Sequence, residues 1–496
     1  MQNLIGEKWM DSVSKKTTNV VNPATGEIID TIPASTLIDV DLAVDTAYEA
    51  QKKWAKYSIA RRGEILMKFA KLVLDEKDDL AKLLCMETGK PITEAVAEIA
   101  NLQISVPAFV ERAKHMYDES IPAGVEPGQE HHIQITVQAP LGVVAAIIPF
   151  NFPCDLFGQK VPSALMMGNA VIIKPSTYNP LTLTRLGYLL LKAGVPAGVV
   201  EVLHGDGLTV GQGLAAHKKV ALVSLTGSTG AGMQTMATCA KNLTHVMLEL
   251  GGNDALIFAE DGDMDLLIDE AVWGRLYNTG QVCCASKRFL IHNSRKQEFI
   301  DRMKAKIASM VQGDPMDPKT QIGCLINENA AKRVEKQVND TVAAGATIVC
   351  GGKRNGAFYE PTILDNVTRD MDVAKDMELF GPVIPVIGFD DIDEAIEIAN
   401  QSNFGLCGAV FTKDMKQAFD VANRLEVGGS VINGASFFRS FEMPFGGWKH
   451  SGIGNEGVMT TLKEMSRTKT IALKNVLKLC KNHKQHKNMK KKSINS

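Results

Sequence analysis

The middle of the chain alternates short apolar runs with helical stretches, and this alternation restricts the fold more than any other feature. LTLTRLGYLLLKAG (181–194) is typical of the helical stretches. Buried strands that alternate with helices form a parallel sheet with helices on both faces. The pattern therefore predicts an α/β fold. The apolar runs are rich in β-branched residues and stop at Gly, Pro or a polar turn: VVAAIIPF (143–150), AVIIKP (170–175), VVEVLHG (199–205) and VALVSLTGS (220–228).

Polar side chains follow three of these runs, at Asn151, Lys174 and Ser228. Ligands of parallel sheets bind beyond the carboxyl ends of the strands, so the three side chains are candidates for one site. In SLTGSTGAG (224–232), the glycines and a helix N-terminus suit a phosphate group. The spacing differs from G-x-G-x-x-G, and a plain glycine-rich turn is the alternative. A second α/β block follows at 252–445.

Three further segments carry candidate chemistry. LELGG (248–252) places Glu249 among apolar residues, where a raised pKa would suit a general base; a glutamate facing water is the alternative. PFNFP (149–153) frames Asn151 rigidly, as an oxyanion donor requires, although Asn also stabilises plain turns. NTGQVCCASKR (278–288) offers two thiols on one loop. Because successive side chains of an extended loop point opposite ways, we expect Cys283 and Cys284 to differ in role.

Composition excludes several classes of protein. The formal net charge of the 496 residues is −2, which disfavours attraction to nucleic acid or to an anionic membrane. The apolar runs are far shorter than the ~20 residues that cross a bilayer. Nine scattered cysteines without a C-x-x-C pair indicate reduced thiols in the cytoplasm, and no metal is expected. The lysine-rich tail, 478–496, is predicted to be a solvated, poorly ordered terminus, with a weak RNA or anionic-surface contact as the alternative.

Seven segments in this order resemble the aldehyde dehydrogenase superfamily, and the resemblance extends over residues 6–474. It implies that the thiolate of Cys283, which follows Gly280-Gln281, attacks an aldehyde, while Cys284 is a buried bystander. Asn151 and the backbone N–H of Cys283 would hold the oxyanion, and Glu249 would activate water to release the acid. The segments are PFNFP, IIKPS, LTGSTGAG, LELGG, GQVC, ELFGPV and MPFGGWKHSGIG.

The same resemblance implies NADP or NAD as the cofactor. Lys174 matches the family lysine at the adenosine ribose, and Thr177 stands where NAD-preferring members usually have a glutamate that repels a 2′-phosphate. A neutral Thr177 predicts that NADP is accepted. The full set of predicted cofactor residues is Lys174, Ser176, Thr177, Gly227, Ser228, Glu378 and Phe380.

The resemblance also implies three regions. A Rossmann-like cofactor domain would comprise 1–121 and 141–251, and an α/β catalytic domain 252–445. A small β element from 122–140 and 446–477 would bridge subunits of a homodimer or homotetramer.

The substrate is predicted to be a small aldehyde with a hydroxylated or anionic tail. Members that oxidise succinate semialdehyde often carry an arginine six residues before the nucleophile, where this chain has Tyr277. Arg439 is a candidate for binding an anionic tail, and an arginine that bonds loop carbonyls is the alternative. Glu249 favours hydrolysis over transfer to coenzyme A. A coenzyme A-acylating enzyme and a non-catalytic binding protein remain the competing functions.

Overall fold

The computed structural model describes residues 1–477, and the predicted basic tail, 478–496, lies outside the described residues. No helix in the described part is long and apolar enough to cross a membrane. The strands are β1 (Asn3–Ile5), β2 (Lys8–Met10), β3 (Thr17–Val21), β4 (Ile28–Pro33), β5 (Ser120–Ile121), β6 (Ile133–Pro140), β7 (Val143–Ile147), β8 (Ala170–Lys174), β9 (Val200–Val202), β10 (Val220–Thr226), β11 (His245–Glu249), β12 (Asp254–Phe258), β13 (Ser286–His292), β14 (Thr347–Cys350), β15 (Arg354–Asn355), β16 (Phe358–Tyr359), β17 (Thr362–Val367), β18 (Val383–Phe389), β19 (Phe404–Gly405), β20 (Cys407–Phe411), β21 (Gly429–Ile432), β22 (Trp448–Lys449), β23 (Gly452–Ile453) and β24 (Ser466–Leu473). The helices are α1 (Leu37–Trp54), α2 (Ile59–Asp75), α3 (Lys77–Thr88), α4 (Ile92–Lys114), α5 (Pro153–Met166), α6 (Leu181–Ala193), α7 (Gln212–Ala216), α8 (Thr229–Cys239), α9 (Met264–Leu276), α10 (Asn293–Ala308), α11 (Glu328–Ala343), α12 (Ile392–Asn400), α13 (Met415–Arg424) and α14 (Val458–Glu464).

The first large sheet has the strand order β2-β1-β9-β8-β7-β10-β11-β23. Its five central strands are parallel, and four of them are the apolar runs of the sequence, so the predicted α/β fold is confirmed. One face packs on α2, α4, α5 and α6 through side chains such as Phe69, Phe109 and Phe157. The other face packs on α1 and α7 through smaller residues such as Val40 and Leu214.

The second large sheet has the order β14-β17-β18-β13-β12-β20-β21 and is parallel apart from β14. Apolar clusters cover both of its faces. Strand β13 lies in the middle of this sheet, and the loop with the two cysteines leads directly into it. A central strand, buried from Ser286 to Ile291, thus fixes one end of that loop.

A small third sheet, β24-β6-β5, projects from the two large ones. Strands β24 and β6 pair antiparallel from Ser466↔Pro140 to Leu473↔Ile133. The prediction that 446–465 also belongs to this element is wrong. Strand β23 pairs with β11 of the first sheet, and α14 buries Val458 and Leu462 in that sheet's apolar core. The apolar side chains of α14 therefore draw this segment to the first sheet, and the small sheet takes only the strand that follows.

Candidate active site

The loop between α9 and β13 has a strained backbone. Asn278 and Thr279 lie in the left-handed region at φ 51° and 54°, followed by Gly280 at φ 75°. Non-glycine residues keep such conformations only where their surroundings hold them. The Asn278 N–H donates to Glu94 Oε2 at 2.8 Å, and its carboxamide donates to the Asn151 carbonyl at 2.9 Å. This strain, which the sequence did not indicate, is concentrated just before the two cysteines.

The Gly280-Gln281 pair fixes the position of the loop. A Cβ on Gly280 would lie 2.4 Å from the carbonyl oxygen of Gly381, so only glycine fits. The Gln281 carboxamide donates to the Asn278 carbonyl at 3.1 Å and accepts from the Ile326 N–H at 2.9 Å. The pair therefore determines where Cys283 lies.

Cys283 lies where two cavities meet. We name the first the strand-end cavity, of about 410 Å³, because residues that follow strands of the first sheet line it, among them Gly227 and Ser228. We name the second the aromatic cavity, of about 610 Å³, after its wall of Phe152, Trp273, Tyr277, Phe437 and Phe445. Cys283, Asn151 and Glu249 line both cavities. A reacting group held between the two would therefore touch all three side chains.

The backbone at Cys283 and Cys284 is not extended, so the premise of alternating side chains does not hold there. Residues 283 and 284 form a turn, closed by the Ala285 N–H and the Val282 carbonyl at 3.4 Å. The neighbouring Cys284 thiol, together with burial, raises the pKa of Cys283 well above its ordinary value. Both thiols line the aromatic cavity, whereas only Cys283 also lines the strand-end cavity.

Glu249 ends β11 and is 4% exposed. Neither of its carboxyl oxygens has a hydrogen-bond partner among residues 1–477. Burial, helped by the neighbouring Cys283 and Glu456, raises the pKa of Glu249 well above its ordinary value. A buried carboxyl group without a partner, beside a thiol, is a suitable proton acceptor.

Two buried charged residues, one on α4 and one just before it, hold Asn151 in place. Lys90 Nζ donates to the Asn151 carbonyl at 2.9 Å and forms a buried ion pair with Glu98. The Asn151 carboxamide donates one N–H to the Gln281 carbonyl at 3.1 Å. Its second N–H remains for a substrate oxygen. The sequence analysis missed Lys90 and Glu98, since nothing in a helical stretch marks a charge as buried.

Four of the seven predicted cofactor residues line the strand-end cavity: Gly227, Ser228, Glu378 and Phe380. Ser228 caps α8, its hydroxyl accepting from the Ala231 N–H at 3.3 Å. Glu378 accepts from the Gly252 N–H at 3.2 Å and pairs with Lys287 at 3.1 Å. These groups are fixed before any ligand arrives.

The strand-end cavity fits a dinucleotide. A glycine turn at a helix N-terminus suits phosphate, and the buried hydroxyl of Thr226, which lines the cavity, has no partner in the described chain. Lys174, the last residue of β8, and Ser176 and Thr177, which follow it, do not line this cavity. Burial lowers the pKa of Lys174 to about 8. The sequence analysis missed Arg333 and Gln337 of α11, which line the cavity but occur in an ordinary charged helical pattern.

The aromatic cavity contains both predicted substrate residues. Tyr277 stacks on Phe152, with ring centroids 6.1 Å apart. Arg439 pairs with Glu456 at 2.9 Å and lies over the Phe445 ring at 4.2 Å, so its partners are not the loop carbonyls of the alternative interpretation. Asp155 and Gln159 of α5 also line the cavity. The sequence analysis missed them, because they occupy ordinary positions of a helix.

The fold and the site together define an α/β protein in which a candidate nucleophile, Cys283, lies where the strand-end cavity and the aromatic cavity meet. The chain belongs to the aldehyde dehydrogenase family, whose model matches residues 9–471. It is 38% identical to a 3-sulfolactaldehyde dehydrogenase of Priestia aryabhattai over 95% of this chain and 97% of that protein. It is 35% identical to an NADP-linked succinate-semialdehyde dehydrogenase of Escherichia coli, over 92% and 94% of the two chains. A betaine aldehyde dehydrogenase of Staphylococcus aureus, solved with NAD+, superposes with a TM-score of 0.92 at 33% identity, covering 97% and 96%.

Proposed function

We propose that the protein oxidises a small aldehyde to the carboxylic acid with NAD+ or NADP+. The observation that carries this proposal is that Cys283, alone among the cysteines of residues 1–477, lines both cavities, together with Asn151 and Glu249. The cofactor would lie in the strand-end cavity, between the Gly227-Ser228 turn and Glu378. When bound, its nicotinamide supplies the acceptor for a hydride.

The chain's own residues account for the remaining chemistry. The Cys283 thiol loses its proton to solvent, the resulting thiolate sulfur bonds to the aldehyde carbon, and the free N–H of Asn151 stabilises the oxyanion. Loss of hydride from that carbon leaves a thioester on Cys283. Glu249 then accepts a proton from water as the water attacks the thioester, which releases the acid and restores the thiol.

Glu249 also separates this function from its closest competitor. A coenzyme A-acylating enzyme needs no base to activate water, whereas hydrolysis needs one beside the thioester. The unpartnered carboxyl of Glu249 supports hydrolysis. The intact set of Cys283, Glu249 and Asn151 likewise argues against a non-catalytic binding protein.

A panel of small aldehydes, each with NAD+ and with NADP+, tests the proposal through the absorbance of the reduced nicotinamide. We expect turnover without coenzyme A and a free carboxylic acid as the product. Formation of an acyl-coenzyme A at a higher rate than the acid would support the acylating alternative. No turnover with any aldehyde, from folded protein, would overturn the proposal.

We also propose a cytoplasmic homodimer or homotetramer assembled through the small third sheet. Its edge strand β24 pairs only with β6 within the described residues, and it exposes Ile471 and Leu473, at 38% and 39%. An exposed apolar edge strand is a template for pairing with another chain. Sedimentation velocity on the full chain should give a dimer or tetramer, and a monomer would contradict this.

A further inference from the structure

Gln159 is a buried carboxamide that faces the substrate side of Cys283 with no partner. It lies on α5, is 1% exposed and lines the aromatic cavity. Neither its amide oxygen nor its amide nitrogen has a hydrogen-bond partner in the part of the chain that the structure describes. Buried polar groups are nearly always partnered, so both atoms indicate a missing ligand group.

Asp155 lies one helical turn before Gln159, and positions four apart share a face of a helix. Its Oδ2 accepts from the Asn101 carboxamide at 3.3 Å, whereas Oδ1 has no partner among residues 1–477. Burial, together with the nearby Glu98, raises the pKa of Asp155 to about 7. The α5 face thus offers a donor and two acceptors to whatever enters the cavity. A hydroxyl group, which both donates and accepts, matches this set.

The hydrogen-bonding groups around the aromatic cavity favour a hydroxyl over an anionic tail. Arg439 is the one basic residue in the described lining; it pairs with Glu456 and lies over Phe445, and its buried Nε lacks a partner among residues 1–477. A carboxylate or sulfonate would share the cavity with the carboxyl groups of Asp155 and Glu249. An anion accepts hydrogen bonds only, so it would also leave the Gln159 oxygen unpartnered.

We propose that Gln159 and Asp155 bind a hydroxyl group on the tail of an uncharged, hydroxylated aldehyde, and so determine the specificity of the enzyme. This inference rests on the proposed function and narrows its substrate class. The aromatic wall of Phe152, Tyr277 and Phe437 would pack against the carbon chain of the same molecule.

Matched aldehydes test the inference. Propanal is compared with 2-hydroxypropanal, 3-hydroxypropanal and glyceraldehyde, and these are compared with succinate semialdehyde and betaine aldehyde as charged probes. We expect kcat/KM for one or more of the hydroxylated aldehydes to exceed that for propanal at least tenfold, and to exceed both charged probes. In Gln159→Leu, the ratio of kcat/KM for the hydroxylated aldehyde to kcat/KM for propanal should fall at least tenfold.

Gln103→Leu is the matched control, because Gln103 of α4 donates to the Ala70 carbonyl at 2.8 Å, away from the cavity. Its ratio should equal that of the unchanged protein. Gln159→Leu removes unpartnered polar atoms, so its Tm should not fall. If that variant fails to fold, Asp155→Asn and Asp155→Leu replace it. Only the leucine variant should then lose the preference for the hydroxylated aldehyde over propanal.

Two results would overturn the inference. One is oxidation of propanal without preference for any hydroxylated aldehyde, or with preference for a charged one. The other is an unchanged ratio in folded Gln159→Leu. Either result leaves the proposed function standing. Absence of turnover with all six aldehydes would instead overturn the proposed function itself, and the specificity inference with it.

Discussion

The two cavities that meet at Cys283 are built in different ways. Backbone and ion pairs fix the polar groups of the strand-end cavity: Ser228 caps a helix, and Glu378 is held by a backbone N–H and by Lys287. In the aromatic cavity, Asp155 Oδ1 and both amide atoms of Gln159 lie on one helix face and lack partners in the described residues. The paired groups of the first cavity are thus fixed before binding, apart from the unpartnered Thr226 hydroxyl, whereas the α5 face of the second cavity leaves hydrogen-bonding capacity for the ligand.

This difference indicates a division of labour. A cavity whose shape depends on backbone tolerates little change in sequence and suits a ligand of constant shape. A cavity lined by side chains of α4, α5 and the loop around Arg439 can change its preference by substitution without disturbing the sheets. The proposed catalytic residues Cys283, Asn151 and Glu249 lie on the boundary, because they line both cavities.

The largest expected effect comes from removing the thiol that the two cavities share. Cys283→Ser should lower kcat/KM for every aldehyde by roughly 10³-fold or more, because a hydroxyl is a far weaker nucleophile than a thiolate. The measurement is steady-state formation of reduced nicotinamide. Cys284→Ser, which changes a thiol of the aromatic cavity alone, should retain activity. If the outcomes were exchanged, the boundary between the cavities would lie at Cys284.

Loss of the base at the boundary should have the next largest effect. Glu249→Gln should lower kcat by about 10²-fold or more, the ordinary contribution of a general base. Because the thioester would then persist, a rapid first turnover should still release reduced nicotinamide in stopped-flow measurements, followed by a slow steady state.

A remote carboxyl group provides the control for Glu249. Glu201 lies on β9 of the same sheet, and its burial raises its pKa to about 8, but it bonds the Gly6 N–H far from Cys283. Glu201→Gln should leave both kinetic phases unchanged. Equal losses in the two variants would mean that Glu249 acts through general stability of the sheet.

The strand-end cavity was largely predictable from the sequence, and the aromatic cavity was not. Motifs such as LTGSTGAG and LELGG lie at the ends of apolar strands, and the carboxyl ends of parallel strands meet at one edge of a sheet. The family resemblance added Glu378 and Phe380, which no local pattern marks. Asp155 and Gln159 occupy ordinary helix positions, and only the packing of α4, α5 and the loop around Arg439 creates a cavity beside them. That packing depends on contacts between residues distant in sequence.

The cysteine loop shows a second limit of prediction. The proposed role of Cys283 rests on the family resemblance at Gly280-Gln281, but the arrangement of its neighbour Cys284 did not follow from the sequence. Side-chain alternation holds for extended backbone, and this loop combines left-handed residues at Asn278 and Thr279 with a tight turn at Cys283. The hydrogen bonds that hold this backbone come from Glu94 and Asn151, distant in sequence.

The contact between the thiols predicts a particular dependence on pH. Since the pKa of Cys283 lies well above its ordinary value, the thiolate is a minor form at neutral pH, and kcat/KM should rise as the pH increases above 7. Cys284 is the first cause of that raised pKa, so Cys284→Ala should move the rising limb to lower pH. The measurement is kcat/KM against pH for both proteins. If the rising part of the pH profile does not move in Cys284→Ala, the ionisation that controls kcat/KM belongs to another group, such as Glu249.

The smallest effect, and the sharpest separation of the two cavities, should come from Thr177, which follows β8 and lies outside both of them. If it lies beside the adenosine ribose, as the family pattern implies, Thr177→Glu places a carboxylate near the 2′-phosphate of NADP+. We expect kcat/KM for NADP+ to fall about tenfold relative to NAD+, an effect of roughly 1.4 kcal/mol for a partly screened repulsion. Thr177→Gln, of equal size and no charge, controls for shape.

The preference among aldehydes should be the same in all three proteins, because the cofactor position and the Gln159 face lie on opposite sides of Cys283. A change in aldehyde preference in Thr177→Glu would show that the two sides are coupled, and a fall in NADP+ use in both variants would assign the effect to space rather than charge.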